Sequence, residues 1–266
     1  MSNISELAVI SKKAHISEGV SIGPYAIVDD DVRIEAGVTI LPHAHICSGT
    51  YIGEGTQVHM GAVVGHLPQD LTFDVTRKTQ TKIGKKTVIR EYATIHRSTK
   101  DDIPTSIGDN CYLMATSHVG HDCHVGNHVI LANGALLGGH VDVGDNSFIS
   151  GNVVVHQFCR IGSYVIVGGF SGINKDVPPY MLVRGPSVVR GVNLVGLRRA
   201  KFPREVMHMI TEAFKLLFHS DLNTNQAVEA IKKLGPSKEL DHLIEFIQAS
   251  KRGICKYKYS DTEYFE

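Results

Sequence analysis

The chain has 266 residues with 27 lysines and arginines against 27 aspartates and glutamates, a formal net charge of +0. That balance gives no global basic field for nucleic acid and no acidic excess of the kind that keeps a chain disordered. No apolar run approaches the roughly 20 residues that span a bilayer. The N-terminus also lacks a signal peptide's basic segment and apolar core, so the expected location is cytoplasmic. Five cysteines, an odd number with no CxxC pair, fit a reducing compartment better than a disulfide framework.

An aliphatic residue recurs every six positions from Ile10 through Ile16, Ile22, Val28, Ile34, Ile40, Ile46, Ile52 and Val58 to Val64. The series resumes at Ile83, Ile89 and Ile95, then runs from Ile107 through Val119, Val125, Leu137 and Val155 to Ile173. Six is neither the 3.6 period of a helix nor the 2 of a flat strand; it is a short strand plus a turn, repeated. Four positions after each aliphatic residue the side chain is usually small, as at Ala14, Ala26, Ala44, Ala62, Ser117, Cys123 and Cys159. Large residues filling an axis and small ones at the corners describe a narrow prism, the hexapeptide β-helix. Three hexapeptides make a coil of about 18 residues, with coils stacked about 4.8 Å apart, so residues i and i+18 are neighbours. Such a solenoid is quasi-one-dimensional and needs capped ends.

The period fails twice, near residues 65–82 and near 98–106, where Asp101 stands in an aliphatic slot. Both stretches are expected to be loops thrown out from the prism, the usual place for binding residues. Val177-Pro178-Pro179-Tyr180 ends the array, because adjacent prolines cannot donate to a sheet ladder. From about Leu197 the spacing becomes helical: Val206, Met209, Ile210, Ala213, Leu216 and Leu217, then Ala227, Ile231 and Leu234, then Leu240, Leu243, Ile244, Phe246 and Ile247. The expected organisation is a mainly β chain: a parallel β-helix over 1–190, a C-terminal α-helical subdomain over 191–255, and a flexible tail over 256–266.

Chemistry centres on Val119-Gly120-His121-Asp122-Cys123-His124-Val125. His121 lies two positions after an axial aliphatic residue and should face outward. Adding 18 places Gly139 beside it and adding 18 again gives Gln157. A bare backbone amide one coil from an imidazole is a candidate oxyanion donor. The imidazole suits proton abstraction from a hydroxyl at neutral pH. Asp122 could orient the ring, although strand neighbours point to opposite sides. Cys111, Cys123 and Cys159 fall at the small-residue position and read as packing residues, not nucleophiles. A zinc centre of the kind found in hexapeptide carbonic anhydrases would draw on His118, His121 and His124, but a step of three on a six-residue unit does not aim three side chains at one point. A non-catalytic scaffold is the remaining alternative, and it predicts that His121→Ala changes no activity. Arg198, Arg199 and Lys201 form a basic knot able to hold a phosphate or to sit solvated on a helix.

Several motifs together are more specific than the repeat: Pro68-Gln69-Asp70-Leu71, Ile95-His96-Arg97, Ser117-His118-Val119-Gly120-His121-Asp122-Cys123, Val155-His156-Gln157-Phe158-Cys159, Asp176-Val177-Pro178-Pro179-Tyr180 and Gly196-Leu197-Arg198-Arg199. With them the chain resembles the UDP-N-acetylglucosamine O-acyltransferases, acyl-carrier-protein-dependent enzymes that begin lipid A synthesis. The resemblance runs from the first hexapeptide through the helical end. It implies left-handed winding, a homotrimer with sites between adjacent prisms, no metal and no dissociable cofactor. By resemblance, His121 is the general base for the sugar 3-hydroxyl and Gly139 the oxyanion donor. Gln69, Asp70, His118, His140, His156, Gln157, Asn193 and Arg199 contact the nucleotide sugar or the acyl phosphopantetheine, with Arg198 beside them, and Gly169 measures acyl length. The implied partners are acyl carrier protein bearing a 3-hydroxyacyl chain and a UDP-amino-sugar. Thr72 and Val195 depart from the family pattern near the sugar nucleotide, which leaves open a variant acting on a 3-amino sugar to form an amide.

Overall fold

The computed structural model describes residues 3–257. Its strands are mostly two residues long, most of them ending on the aliphatic member of a hexapeptide, and they stack into three sheets of 12, 9 and 8 strands. Each wall pairs in parallel at a step of 18, as in His118↔Leu136, Val119↔Leu137 and Ile130↔Phe148. The sheets form the walls of a left-handed parallel β-helix. The first sheet contains Ile130–Leu131 and its stack, the second contains His118–Val119, and the third contains His124–Val125.

Packing explains the pattern. Axial Ile22, Ile34, Ile40, Ile46, Ile52, Ile83, Ile95, Leu113 and Leu137 are at most 2% exposed, and so are the corner residues Val20, Ala26, Ala44, Ala62, Cys123 and Ala135. Interior space at a corner is pinched by the two walls that meet there, so small side chains fit best. Most corners are tight turns with a left-handed second residue, including Asp122 (φ 57°), His140 (φ 60°) and Phe158 (φ 63°).

Both failures of the period are insertions at the corner between the second and third sheets. Across the first, the pairing step grows to 31, as in Val64↔Ile95; across the second it is 24, as in Val119↔Ile95. The two inserted loops touch through a salt bridge from Arg77 to Asp101 at 2.8 Å.

At the C-terminal end the first sheet is extended by Met181–Arg184, which pairs antiparallel with Val188–Val192. Four helices follow: α1 (Leu194–Arg199), α2 (Arg204–Phe218), α3 (Thr224–Ile231) and α4 (Lys238–Gln248). Asn223 caps α3 in a reciprocal box with Gln226, and Ser237 caps α4. Ile210, Ala213, Ile231, Leu240 and Leu243 are buried in the helical packing. Arg160, on the third sheet, stacks its guanidinium 4.3 Å from the Phe246 ring and so joins α4 to the prism. The tail expected to begin at 256 does not: Lys256–Tyr257 adds a parallel strand beside Val188–Val189, and Tyr257 packs on Phe214 and His219. An open sheet edge and an aromatic pocket hold these two residues; the rest of that tail, 258–266, lies outside the described residues. No described helix is long and apolar enough to cross a membrane.

Candidate active site

The site is built on the corner joining the second sheet to the third. Strand His118–Val119 leads into the turn that carries His121 and Asp122. Because Asp122 adopts φ 57°, it does not alternate with His121 as strand neighbours do. The turn swings the carboxylate beside the ring, and His121 Nδ1 lies 2.7 Å from Asp122 Oδ2. The doubt that strand alternation cast on this pairing is thereby removed. The same pairing draws the imidazole along the corner, so its side chain is 14% exposed instead of standing free in solvent.

Asp122 is 4% exposed and tightly held. Its carboxylate accepts from Ser98 Oγ at 2.6 Å, from Thr99 N at 3.1 Å and from Thr99 Oγ1 at 2.7 Å, all on the second inserted loop. Burial by itself raises the carboxyl's pKa. Donation from His121, Ser98 and Thr99 outweighs it and keeps the group ionised well below the usual carboxylate range. An anion at Nδ1 holds the proton there and leaves Nε2 to accept one.

Nε2 faces Gly139. A Cβ on Gly139 would lie 2.7 Å from both Cε1 and Nε2 of His121, so only glycine lets the ring sit there. His140 N donates to His121 O at 2.9 Å, locking the two coils together, while the Gly139 amide has no backbone acceptor among the described residues. His140 stands 3.6 Å from the Asp122 carboxylate, edge-on to His121 at 5.1 Å and stacked on Phe158 at 4.4 Å. Burial lowers the pKa of His140, against an opposing pull from Asp122.

Toward the N-terminal end the histidines continue along the second sheet. His118 Nδ1 is 2.7 Å from Thr94 Oγ1, and its ring meets His96 at 4.9 Å. Burial lowers the pKa of His118 and pushes that of His96 down to about 4, helped in each case by neighbouring imidazoles. Toward the other end, His156 and Gln157 are exposed on the same seam. Arg252 reaches them from the C-terminal region, donating to Gln157 O at 3.0 Å and lying 3.5 Å from His156 Nδ1. Asp70, on the first inserted loop, has its pKa lowered by donors from Thr72, with smaller contributions from His121 and His140, which places it over this seam. Gln69 beside it is exposed.

The structure therefore gathers His118, His121, Asp122, Gly139, His140, His156, Gln157 and Asp70. Within one chain it does not bring Asn193, Arg198, Arg199 or Gly169 to them. Asn193 is buried at the corner between the third and first sheets. There its Oδ1 accepts from Gly196 N to cap α1, and its Nδ2 donates to Tyr164 O at 2.8 Å. Arg198 and Arg199 are exposed in the last turn of α1, where cations complement the helix dipole. Gly169 sits at the corner between the first and second sheets, next to the exposed ring of Phe170. Zinc ligation by His118, His121 and His124 also fails, because His124 turns onto the third sheet, 3.0 Å from Ser106 Oγ. Sequence reasoning missed Ser98, Thr99, Thr94 and Phe158. The signal for the first two was present, because a loop inserted immediately before the coil of His121 must lie against it.

Residues 176–255 match the family described as Udp N-acetylglucosamine O-acyltransferase, Domain 2, and residues 31–66 and 104–139 match bacterial transferase hexapeptide repeats. An acyl-[acyl-carrier-protein]–UDP-N-acetylglucosamine O-acyltransferase of Thermodesulfovibrio yellowstonii is 44% identical over 96% of this chain and 100% of its own length. The chain belongs to the UDP-N-acetylglucosamine O-acyltransferase family. The Syntrophobacter fumaroxidans member is 42% identical over 95% of this chain and 99% of its own. The solved UDP-N-acetylglucosamine acyltransferase of Bacteroides fragilis superposes with a TM-score of 0.91 at 38% identity, covering 94% of this chain and 98% of that one. Membership makes the chain an acyltransferase.

Proposed function

We propose that this chain transfers a 3-hydroxyacyl group from acyl carrier protein to the 3-hydroxyl of UDP-N-acetylglucosamine, the opening step of lipid A synthesis. The observation that carries the mechanism is the His121 ring, held at Nδ1 by Asp122 with Nε2 beside the bare backbone of Gly139. His121 Nε2 removes the hydroxyl proton as the sugar oxygen bonds to the thioester carbonyl carbon. The carbonyl oxygen becomes an oxyanion and accepts from the Gly139 amide. As the intermediate collapses, the carbon–sulfur bond breaks and the imidazolium returns its proton to the departing thiol. Asp122, ionised and desolvated, stabilises the imidazolium formed in between.

A homotrimer is part of the same proposal. Asn193 and Gly169 lie on other corners of the prism than His121, and Arg199 lies on α1, so a site using them needs a neighbouring copy. The outer face of the second sheet offers an apolar surface for one, with Val9 64%, Ile27 38%, Leu136 39% and Val154 51% exposed.

The test is mass spectrometry of the product formed from mixed 3-hydroxyacyl thioesters of acyl carrier protein, with UDP-N-acetylglucosamine and its 3-amino analogue supplied together. An ester on the hydroxyl sugar is expected, and a strong preference for the amine would overturn the acceptor assignment. In the same assay His121→Ala should lose roughly 100-fold or more in kcat, the scale of a missing general base, while light scattering still reports a trimer. An unchanged rate would leave only a scaffold.

A further inference from the structure

All five cysteines are buried, and four of them share a habit. Cys111, Cys123 and Cys159 occupy the small-residue corner position. They and Cys255 each donate a thiol hydrogen to a backbone carbonyl, as Cys111 does to Gly126 at 3.0 Å and Cys123 to Gly138 at 3.1 Å. Cys47 breaks the pattern. It follows the axial Ile46 directly instead of standing four residues on, so it sits on the outer edge of the corner between the second and third sheets. Its thiol has no hydrogen-bond partner among the described residues.

What it faces instead is a carboxylate and an imidazole. Asp29 holds the same position one coil earlier, its amide donating to Ile46 O at 3.0 Å. His45 projects outward from the strand preceding Cys47, with Nε2 3.1 Å from Asp29 Oδ2. The Cys47 sulfur, a His45 ring nitrogen and an Asp29 oxygen all lie within 4.8 Å of one another. A tetrahedral cation with bonds of about 2.0 Å to nitrogen and oxygen and 2.3 Å to sulfur has its ligands roughly 3.3–3.6 Å apart. The imidazole–carboxylate edge, at 3.1 Å, is already near that length, and the two edges to sulfur, at most 4.8 Å, must shorten on binding.

We propose that Asp29, His45 and Cys47 bind a thiophilic divalent cation of the zinc class, with water in the fourth position. The donor set decides the class: thiolate and imidazole suit zinc-like ions, whereas calcium and magnesium require shells of oxygen. On binding, the metal–sulfur bond forms and the thiol proton is released to solvent. Arg97 lies near enough to act on this thiol and opposes a second positive charge there. His45 and Cys47 lie three coils from His121 and Asp29 four, roughly 14 and 19 Å away at the strand spacing. The ion therefore acts as a clip, not in acyl transfer. It fastens two coils near the end of the prism, where axial Ile10 and Ile16 are only half-buried. The cluster of His121, Asp122 and His140 also has convergent donors. It lacks sulfur, and Ser98 and Thr99 already occupy its carboxylate.

The full-length protein, stripped with a chelator and desalted, is titrated with cobalt(II) chloride. One equivalent should produce a near-ultraviolet thiolate-to-cobalt charge-transfer band with tetrahedral visible bands, and zinc should displace it. Cobalt and zinc should each raise Tm. Cys47→Ser and His45→Gln, checked for native circular dichroism, should lose the band and the Tm rise, while His121→Ala keeps both. A wild-type protein without the band, or a band that survives Cys47→Ser, overturns the proposal. Acyl transfer by the stripped protein is expected to match the untreated enzyme, so this result stands or falls apart from the catalytic reading.

Discussion

Gly139→Ala isolates the contact on which the mechanism rests. The new methyl would lie 2.7 Å from both Cε1 and Nε2 of His121, whereas unstrained heavy-atom contacts need about 3.5–4.0 Å. The backbone gives little relief, because His140 N is bonded to His121 O across the coils. The ring must retreat by roughly 1 Å, the scale of misplacement that costs about 100-fold in rate, or about 2.7 kcal/mol of transition-state stabilisation. Fold stability should hardly change. The left-handed residue of this turn is His140, not Gly139, so alanine meets no backbone strain. The assay is the initial rate of acyl transfer at varied acceptor and acyl-carrier-protein thioester, beside a calorimetric Tm. A kcat/KM within threefold of wild type at unchanged Tm would refute the reasoning, because it would mean the imidazole does not work against this glycine.

Two further substitutions test the groups behind the imidazole. Ser98→Ala with Thr99→Val removes two hydroxyl donors from Asp122. Its carboxyl should titrate higher and kcat should fall by about 10-fold or more, with the acid limb of the kcat–pH profile moving to higher pH. A purely structural role would leave that limb in place. His96, 5% exposed, is pushed to about 4 from an ordinary 6.5 by burial and by neighbouring imidazoles. Its folded-state value is depressed, so the unfolded chain takes up a proton that the native state refuses. Stability contributed by neutral His96 is present above 6.5 and drains away as pH falls toward 4, by roughly 3 kcal/mol in all. Denaturation midpoints at pH 7 and pH 4.5 should therefore differ less in His96→Gln than in wild type. An equal difference would remove His96 from the acid sensitivity of the fold.

The sequence alone determined the prism. A solenoid has one short period, and the axial aliphatic series keeps it apart from two insertions, so the walls, the axis and the stacking of Gly139 on His121 follow from counting. The helical end was legible for the same reason, since its apolar residues keep the helical step. Tertiary structure decided what the period cannot encode. It turned Asp122 onto His121, because a left-handed corner residue escapes strand alternation. It brought Ser98 and Thr99 to that carboxylate, because an insertion changes the step from 18 to 24 at one corner only. It placed Asn193 at a helix cap on another corner and tied Lys256 and Tyr257 to a sheet edge. Each of these depends on the direction a side chain or loop takes after leaving the repeat, and direction is fixed by hydrogen bonds between residues far apart in the chain.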